Sequence, residues 1–366
     1  MTIRASVMTE PERPLEIWDI ADPDLEPGGV LLQTVASEVC GTDVHLHHGR
    51  LAGVPYPIVP GHVSVGRILE SNGVKADALG TPLGSGDLVT FYDVHEVCNR
   101  CYYCTVAEQP NRCPNRRVYG ITYSANDGPL GGWAERIYLK PGVRILKVSD
   151  GLTADLVIGG GCGLFTGFAA VERGTLAMGD TVVVQGTGPV GLAATAFARL
   201  QGAGMVIAIG APEARLKLAR TMGADTVLSV GSASPDERAA AVRDLTSGRG
   251  ADVVIEATGN PEAIPEGFSL LRDGGTYVVA GHYTDAGAVE INPHLDINLK
   301  HADVRGNWGT AFRHVVRALL MLAKYKERLP FDLVIGGRYG LHQTDQALAD
   351  VATLRVTKAV IDPTIG

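Results

Sequence analysis

Four of the six cysteines fall within one short stretch, separated by two, two and eight residues: Cys98, Cys101, Cys104 and Cys113. Repeated Cys-x-x-Cys steps let short turns direct several thiolates at one point, which is the tetrahedral donor set of a structural zinc ion. Disulfide or redox chemistry is the alternative, but thiols two residues apart pair awkwardly, and a reducing cytosol disfavours disulfides. The spacing therefore predicts a structural zinc site.

The other two cysteines stand alone. Cys40 begins the run Cys-Gly-Thr-Asp-Val-His at 40–45, His62 ends the run Pro-Gly-His at 60–62, and Cys162 comes much later. Two thiolates and one imidazole leave the fourth position of a zinc ion open, as a catalytic site requires. Because ligands this far apart have no local signature, spacing alone favours core or surface positions without a metal over a catalytic site.

A glycine-rich turn predicts a dinucleotide site. It reads Gly186-Thr187-Gly188-Pro189-Val190-Gly191, follows a strand-like run at 181–185 and opens an alanine-rich helix. In such a context the first glycine permits a tight turn, the second lets the backbone approach a pyrophosphate, and the third lets helix and strand pack closely. The phosphates then lie at the positive helix N-terminus. A glycine-rich turn without a ligand is the alternative.

The choice of coenzyme depends on the end of the next predicted strand, 205–209. An acidic residue that receives the adenosine ribose usually stands there, but this chain has Gly210, with Glu213 beyond the strand and Arg215 along the following helix. The missing carboxylate removes repulsion towards a 2′-phosphate, yet no arginine directly follows the strand to attract one. We expect Gly210 and Arg215 at the coenzyme site, and NAD in preference to NADP.

The elements that must position these residues show two sequence patterns, one before and one after about residue 152. Short β-type runs broken by glycine and proline, at 30–35, 66–70 and 87–91, predict a largely antiparallel β domain. From about residue 152, strand-like runs at 181–185, 205–209, 226–230, 252–257 and 276–280 alternate with helix-length segments, including 235–245 and 261–271. This alternation predicts a parallel sheet. Helical segments at 311–325 and 342–353 and a strand at 358–361 follow, so the α/β unit divides the outer domain.

Composition and charge limit the kinds of function that this chain can have. The chain has 366 residues, is 45% hydrophobic and 20% charged, and carries a formal net charge of −8. These values predict a folded chain of two or more domains and exclude a disordered chain or a coiled coil. Without a basic run, nucleic acid and anionic membranes are poor partners. We find no signal-peptide pattern and no apolar stretch approaching about 18–20 residues, and so expect a soluble, cytoplasmic protein.

These motifs together resemble the zinc-dependent medium-chain dehydrogenase/reductase family of alcohol, sorbitol and threonine dehydrogenases, over essentially the whole chain. The resemblance rests on the runs at 40–45 and 60–62, Gly-Asp-x-Val at 86–89, the four cysteines, Gly-Cys-Gly at 161–163 with Thr-Gly at 166–167, the turn at 186–191 and Gly-Ala-Asp at 223–225. It implies an α/β fold with a GroES-like, β-rich catalytic domain (1–163 and 307–366). A doubly wound Rossmann coenzyme domain would occupy 164–306.

The resemblance also implies roles for individual residues. Cys40, His62 and Cys162 would hold a catalytic zinc ion, and the four clustered cysteines a structural one. Thr42 would contact the substrate oxygen, His45 would continue a proton relay to solvent, and Asp43 would accept a hydrogen bond from a ring nitrogen of His62.

The implied activity is hydride transfer between a small-molecule alcohol and NAD(P), by a homodimer or homotetramer. The alternatives are a zinc-independent enal or quinone reductase of the same superfamily and a non-catalytic dinucleotide-binding protein.

The chain departs from the family at two places. Val63 stands where members commonly carry a glutamate directly after the ligand histidine, and eight residues separate Cys104 from Cys113 where seven are usual. Lys358 either reaches the coenzyme pyrophosphate or is solvated. Tyr119, Tyr283 and Trp308 are candidates for core packing or for a substrate pocket, and a pocket lined by them would suit a bulky, apolar secondary alcohol.

Overall fold

The computed structural model describes residues 2–366, which divide into two compact units. The first takes in the chain up to Gly161 together with Ala311–Lys326 and Phe331–Gly366, and the second takes in Cys162–Thr310 and Glu327–Pro330. The second unit is therefore inserted into the sequence of the first. The divisions fall within a few residues of the predicted limits, 163/164 and 306/307.

The strands and helices of residues 2–366 are numbered in chain order. The strands β1 to β15 are Thr2–Val7, Glu16–Ala21, Val30–Val39, Ser64–Ser71, Leu88–Phe91, Arg136–Leu139, Ile145–Lys147, Thr181–Gln185, Met205–Gly210, Thr226–Ser229, Ala251–Glu256, Leu271–Val279, Asp303–Gly306, Ile335–Tyr339 and Lys358–Ile361. The helices α1 to α9 are Gly41–His47, Tyr102–Thr105, Ala154–Gly174, Pro189–Gln201, Glu213–Thr221, Pro235–Leu245, Ala263–Leu270, Phe312–Tyr325 and Thr344–Ala352.

The first unit is built on a seven-stranded sheet in the order β14-β15-β3-β4-β5-β7, with β6 also paired to β3. All its pairs are antiparallel except β14 with β15. Strand β3 is central and almost entirely buried, and its polar residues Thr34, Ser37 and Glu38 are buried together with its apolar ones. The runs at 30–35, 66–70 and 87–91 lie in β3, β4 and β5, so the predicted antiparallel β domain is confirmed.

The second unit contains a six-stranded sheet in the order β10-β9-β8-β11-β12-β13. Every neighbouring pair is parallel. Numbered within the unit, this is the doubly wound order 3-2-1-4-5-6, in which strand order reverses between β8 and β11. Ligands of such sheets bind beyond the carboxyl ends of the strands at this reversal. The predicted Rossmann fold is confirmed.

Helix α3 corrects one expectation. It spans 21 residues, Ala154–Gly174, and by length and composition alone is apolar enough to cross a membrane, so the expectation that no apolar stretch approaches this length is wrong. The positive φ of Gly161 (φ 53°, ψ −144°) interrupts it, and 72% of its most apolar window is buried inside the protein. A core helix of a folded protein has the same properties.

Candidate metal centres and coenzyme site

The four clustered cysteines converge in the structure. The Sγ atoms of Cys98, Cys101, Cys104 and Cys113 all lie within 4.8 Å of one another, and none of the six cysteines forms a disulfide bond. The predicted grouping is therefore present, and four thiols around one point fit a tetrahedral zinc ion. We call residues 98–113 the cysteine lobe.

Local backbone geometry produces the cysteine lobe. Asn99 adopts a left-handed conformation (φ 50°), which turns the chain between the first two cysteines, and Cys98 N–H donates to the Sγ of Cys113 at 3.4 Å. A backbone hydrogen bond from Arg100 lowers the pKa of the Cys98 thiol to about 6, which favours the thiolate that binds metal. The long loop between Cys104 and Cys113 contains a second left-handed residue, Glu108 (φ 52°).

A second cluster joins residues that are distant in the sequence. The potential ligand atoms of Glu38, Cys40, His62 and Cys162 lie within 4.8 Å of one another. The structure thus brings together the three predicted ligands and adds Glu38, which the sequence reasoning missed. Two thiols, an imidazole and a carboxylate are all zinc ligands, so this donor set fits the metal. We call these four residues the buried centre.

Helix α1 fixes Cys40 and places Thr42 and His45 beside it. Cys40 is the N-cap residue of α1: its Sγ accepts from the N–H of Thr42 at 3.3 Å, and its own N–H donates to Asp43 Oδ2 at 2.8 Å. Thr42 and His45 are both partly exposed and three residues apart, so they share one face of the helix. Their predicted contacts with substrate and solvent stay predictions.

Burial shifts the pKa values of two side chains of α1, His45 and Asp43. It lowers the pKa of His45, helped by the charges of Arg50 and His48, so the imidazole is neutral at neutral pH. It raises the pKa of the Asp43 carboxyl, although His62 and the hydrogen bond from Cys40 oppose that shift. Asp43 Oδ1 is buried without a hydrogen-bond partner and is the atom that the predicted bond from His62 requires.

Glu38 is paired with Lys358 in the interior. Lys358 Nζ binds Glu38 Oε2 and donates to the carbonyl of Gly160 at 3.3 Å, and both side chains are 0% exposed. The interpretation of Lys358 as a solvated lysine is therefore wrong. Glu38 lies in β3 and Lys358 in β15, which pair antiparallel. A glutamate and a lysine, each inside an apolar strand, were a signal for this pair, because a buried charge requires a partner.

The glycine-rich turn has the geometry of a phosphate site. A Cβ at Gly186 (φ 104°) would lie 2.7 Å from the carbonyl oxygen of Ala257, and one at Gly191 would overlap the carbonyl of Gly186. Nothing lies within 4 Å of a Cβ position at Gly188, the N-cap of α4. The backbone is therefore packed at the first and third glycines and open at the second, where a pyrophosphate would approach the helix N-terminus.

The two other predicted coenzyme residues have visible structural roles. A Cβ at Gly210 would overlap Thr187 Oγ1, and Thr187 is buried and donates to the carbonyl of Ala211 at 3.4 Å. Arg215 is only 8% exposed on α5, and burial lowers the pKa of its guanidinium. Contacts of Gly210 and Arg215 with the coenzyme stay predictions.

Glu256 organises the carboxyl edge of the parallel sheet and was also missed from the sequence. It ends β11 with its side chain 0% exposed. Its Oε1 accepts from Thr258 N–H at 2.6 Å, from the Thr258 hydroxyl at 2.7 Å and from Gly259 N–H at 2.7 Å, and its Oε2 accepts from Gly281 N–H at 3.0 Å. One carboxylate thus joins the loops that follow β11 and β12.

The candidate aromatic residues divide by burial. Tyr119 is fully buried in the core of the first unit, edge-on to Phe91, and its hydroxyl accepts from Lys140 N–H at 2.7 Å, so it packs the core. Tyr283 and Trp308 are partly exposed and stack at 5.4 Å with an interplanar angle of 11°. These two rings remain candidates for a substrate pocket.

Comparisons with known proteins agree with this arrangement. Residues 26–150 match the alcohol dehydrogenase GroES-like domain, and residues 189–324 match the zinc-binding dehydrogenase domain. The chain is 34% identical over 364 residues to 5-exo-hydroxycamphor dehydrogenase of Pseudomonas putida, covering 99% of each protein.

Solved structures give the same result. An alcohol dehydrogenase from Thermotoga maritima is 35% identical, with a TM-score of 0.93 and 99% of each chain covered. A chain from Sinorhizobium meliloti crystallised with NADP is 26% identical, with a TM-score of 0.85 and coverage of 99% of this chain and 100% of that one.

The protein therefore belongs to the zinc-dependent medium-chain dehydrogenase/reductase family. It is an oxidoreductase of the alcohol dehydrogenase class, which uses zinc and a nicotinamide dinucleotide to transfer hydride to or from a small-molecule alcohol. The comparisons give no support to a zinc-independent reductase or to a non-catalytic dinucleotide-binding protein.

Proposed function

We propose that the protein interconverts a bulky, apolar secondary alcohol and its ketone, with Cys40, His62 and Cys162 as the ligands of its catalytic zinc ion. The convergence of these ligand atoms within 4.8 Å is the observation that carries the proposal. The substrate class is supported by the hydroxycamphor named for the Pseudomonas relative, a ring-bearing secondary alcohol. The stacked, partly exposed rings of Tyr283 and Trp308 also suit an apolar substrate.

The chain's own residues account for the proton. A zinc ion held by Cys40, His62 and Cys162 would supply Lewis-acid chemistry that favours loss of an alcohol proton, and a bound nicotinamide dinucleotide would supply the hydride acceptor. The Thr42 hydroxyl both accepts and donates a proton, so it takes the alcohol proton and passes one to His45. The neutral imidazole of His45, whose pKa is lowered by burial, accepts that proton and releases it to solvent.

We assign a second, structural zinc ion to the cysteine lobe, which gives two per chain. The supporting observation is the approach of four free thiols within 4.8 Å. Four cysteine ligands leave no open position for substrate, so this ion stabilises the fold of the lobe rather than taking part in the reaction.

For the coenzyme we propose NAD in preference to NADP. Strand β9 ends at Gly210 and is followed by Ala211 and Pro212, so no cation directly follows the strand to attract a 2′-phosphate, and Arg215 on α5 is only 8% exposed. The ratio of kcat/KM values for the two coenzymes tests this: a preference for NADP would overturn it.

We further propose a cytoplasmic homodimer or homotetramer. Within residues 2–366, strand β13 lies at the edge of the parallel sheet, and exposed apolar side chains of Leu295, Leu299 and Val304 lie on and just before it. An apolar sheet edge is a surface that a second copy would cover. Sedimentation at several concentrations measures the assembly, and a monomer at all of them would contradict it.

The function is tested by a panel of alcohols and ketones, read by nicotinamide absorbance, on wild type and Cys162→Ala. Bulky secondary alcohols should give the highest kcat/KM. The variant should lose more than about 100-fold in turnover and one zinc ion per chain, while still binding the coenzyme. Retained turnover in Cys162→Ala would remove this residue from the site.

A further inference from the structure

We propose that Glu38 is a fourth protein ligand of the metal at the buried centre, and that Lys358 is the positioning residue that holds its carboxylate there. The proposal rests on the proposed catalytic role of Cys40, His62 and Cys162. It concerns a residue outside the motifs at 40–45 and 60–62, and it changes the resting site from three protein ligands to four.

The geometry of Glu38 and His62 fits a shared metal ion. Glu38 Oε1 lies 3.5 Å from His62 Nε2. Two ligand atoms that each lie about 2.0–2.1 Å from a tetrahedral ion are about 3.3–3.4 Å apart. The observed separation is therefore close to that of two ligands of one ion.

The two carboxylate oxygens of Glu38 have separate partners. Oε2 binds Lys358 Nζ, which leaves Oε1 directed at His62. The backbone fixes Glu38 in the same register, because its N–H donates to the carbonyl of Val63, the residue after His62, at 3.1 Å. Glu38 is thus oriented at both its main chain and its side chain.

The space next to Cys162 is shaped for the Glu38–Lys358 pair. A Cβ at Gly161 would overlap Glu38 Oε2 and Lys358 Nζ. The backbone directly before Cys162 can therefore take this path only with glycine at position 161. Gly161 also has a positive φ of 53°, which disfavours any other residue. Gly161, the residue directly before the ligand Cys162, therefore packs against the Glu38–Lys358 pair, which ties the position of Cys162 to that of the pair.

Charge balance points to the same conclusion. With both cysteines as thiolates, the ligand set has three negative groups: Cys40, Cys162 and Glu38. The carboxyl groups of Asp43 and Asp93 also lie near His62 and Glu38, and burial raises the pKa of each, which favours their neutral forms. Lys358, which is 0% exposed, supplies one positive charge, and a divalent cation supplies the remaining two. Unbalanced buried charge is costly, so the complete set of ligands, lysine and metal is the arrangement that a closed interior tolerates.

Four protein ligands have a consequence for the reaction. When Glu38 is bound, every tetrahedral position is filled by the protein, so substrate enters only if Glu38 leaves or the coordination number rises to five. Lys358 keeps a displaced carboxylate nearby, ready to return. Glu38 is therefore an exchangeable ligand, whereas Cys40, His62 and Cys162 are permanent ones.

The test compares wild type with Glu38→Gln, Lys358→Met and the double variant Glu38→Gln/Lys358→Met, all as full-length metal-loaded protein. The readouts are the rate of zinc release to a chelator and the visible spectrum after cobalt replaces zinc at the buried centre, both without substrate. The cysteine lobe releases its own zinc in a separate phase and serves as an internal reference. The double variant leaves no buried lysine without its counter-ion, so it separates ligation from folding.

We expect Glu38→Gln and the double variant to release the zinc of the buried centre about 10–100-fold faster and to have an altered cobalt spectrum. Lys358→Met should have a smaller effect in the same direction, and the zinc of the lobe should be unaffected. If Glu38 serves only as counter-ion to Lys358, the double variant will have wild-type release and a wild-type spectrum, which overturns the proposal. If wild type holds zinc only in the lobe, the proposed catalytic centre fails as well.

Discussion

The two candidate metal centres are built in opposite ways. The cysteine lobe draws its ligands from 98–113, where a left-handed Asn99 and short turns aim the thiols at one point. The buried centre takes its residues from three distant segments: Glu38 in β3 with Cys40 at the start of α1, His62 just before β4, and Cys162 in α3. A centre made by local turns should tolerate change in the rest of the fold, whereas one made by packing should not.

Among variants that keep every proposed ligand of the buried centre, the largest effect is expected from Gly161→Ala. The added Cβ would overlap the Glu38–Lys358 pair and is strained at φ 53°, so turnover and zinc retention at the buried centre should fall by about 10–100-fold. Gly73→Ala is the matched control, because it has a positive φ of 91° with nothing within 4 Å of its Cβ position. Equal losses in both variants would show that backbone strain alone is responsible.

The converse test is Cys101→Ser, which changes the cysteine lobe and leaves the buried centre intact. It removes one ligand of the cysteine lobe, so the protein should lose one zinc ion and its Tm should fall on the order of 5–10 °C, while turnover of the folded enzyme stays within about twofold. The neighbouring, exposed Tyr102→Phe is the control and should change neither zinc content nor Tm. Loss of turnover in proportion to zinc would mean that the lobe belongs to the active site.

Acid should lower the free energy of unfolding of the first unit through His314 on α8. Burial, with the charge of Arg313, lowers the pKa of His314 from 6.5 to about 4, and its Nδ1 accepts from Ala311 N–H at 3.0 Å. Below pH 6.5, His314 is therefore protonated in the unfolded chain but stays neutral in the folded chain. The free energy of unfolding falls as the pH drops from 6.5 towards 4.

His314→Gln keeps an acceptor for Ala311 but does not titrate. At about 1.36 kcal/mol per pH unit, the wild type should lose up to about 2 kcal/mol more than the variant between pH 6.5 and 5, measured by denaturant unfolding. Identical pH dependence of the two proteins would contradict a neutral, buried His314.

The smallest effect is expected from Asn99→Gly in the cysteine lobe. Glycine adopts the left-handed conformation of Asn99 without strain, so stability should change by less than about 1 kcal/mol and both zinc ions should remain. Zinc analysis with thermal unfolding measures this. A large loss of zinc would mean that the asparagine side chain, rather than the turn, shapes the lobe.

The same contrast explains what could be predicted from the sequence. Signals carried by neighbouring residues were sufficient for the cysteine lobe, the turn after β8 and the alternation of strands and helices in the second unit, where the predicted helix at 235–245 is α6. Helix α3 and strand β14 were not predicted. The glycine-rich run at 159–163 weakens the helical periodicity of α3, and Gly336 and Gly337 weaken the alternating pattern of β14.

Relations across the sheet could not be predicted in the same way. Glu38 and Lys358 are 320 residues apart and meet only because β15 pairs with β3. Glu256 was missed because most of its hydrogen-bond donors are backbone N–H groups, which no side-chain pattern reveals. Polar groups inside apolar strands are the signal that marks such positions.

Anomalous diffraction at the zinc absorption edge locates the metal ions of both centres in one measurement. Crystals of the metal-loaded protein should give two peaks per chain, one among the thiols of the cysteine lobe and one among Cys40, His62 and Cys162. A single peak in the lobe, with nothing at the buried centre, would contradict the proposed catalytic site.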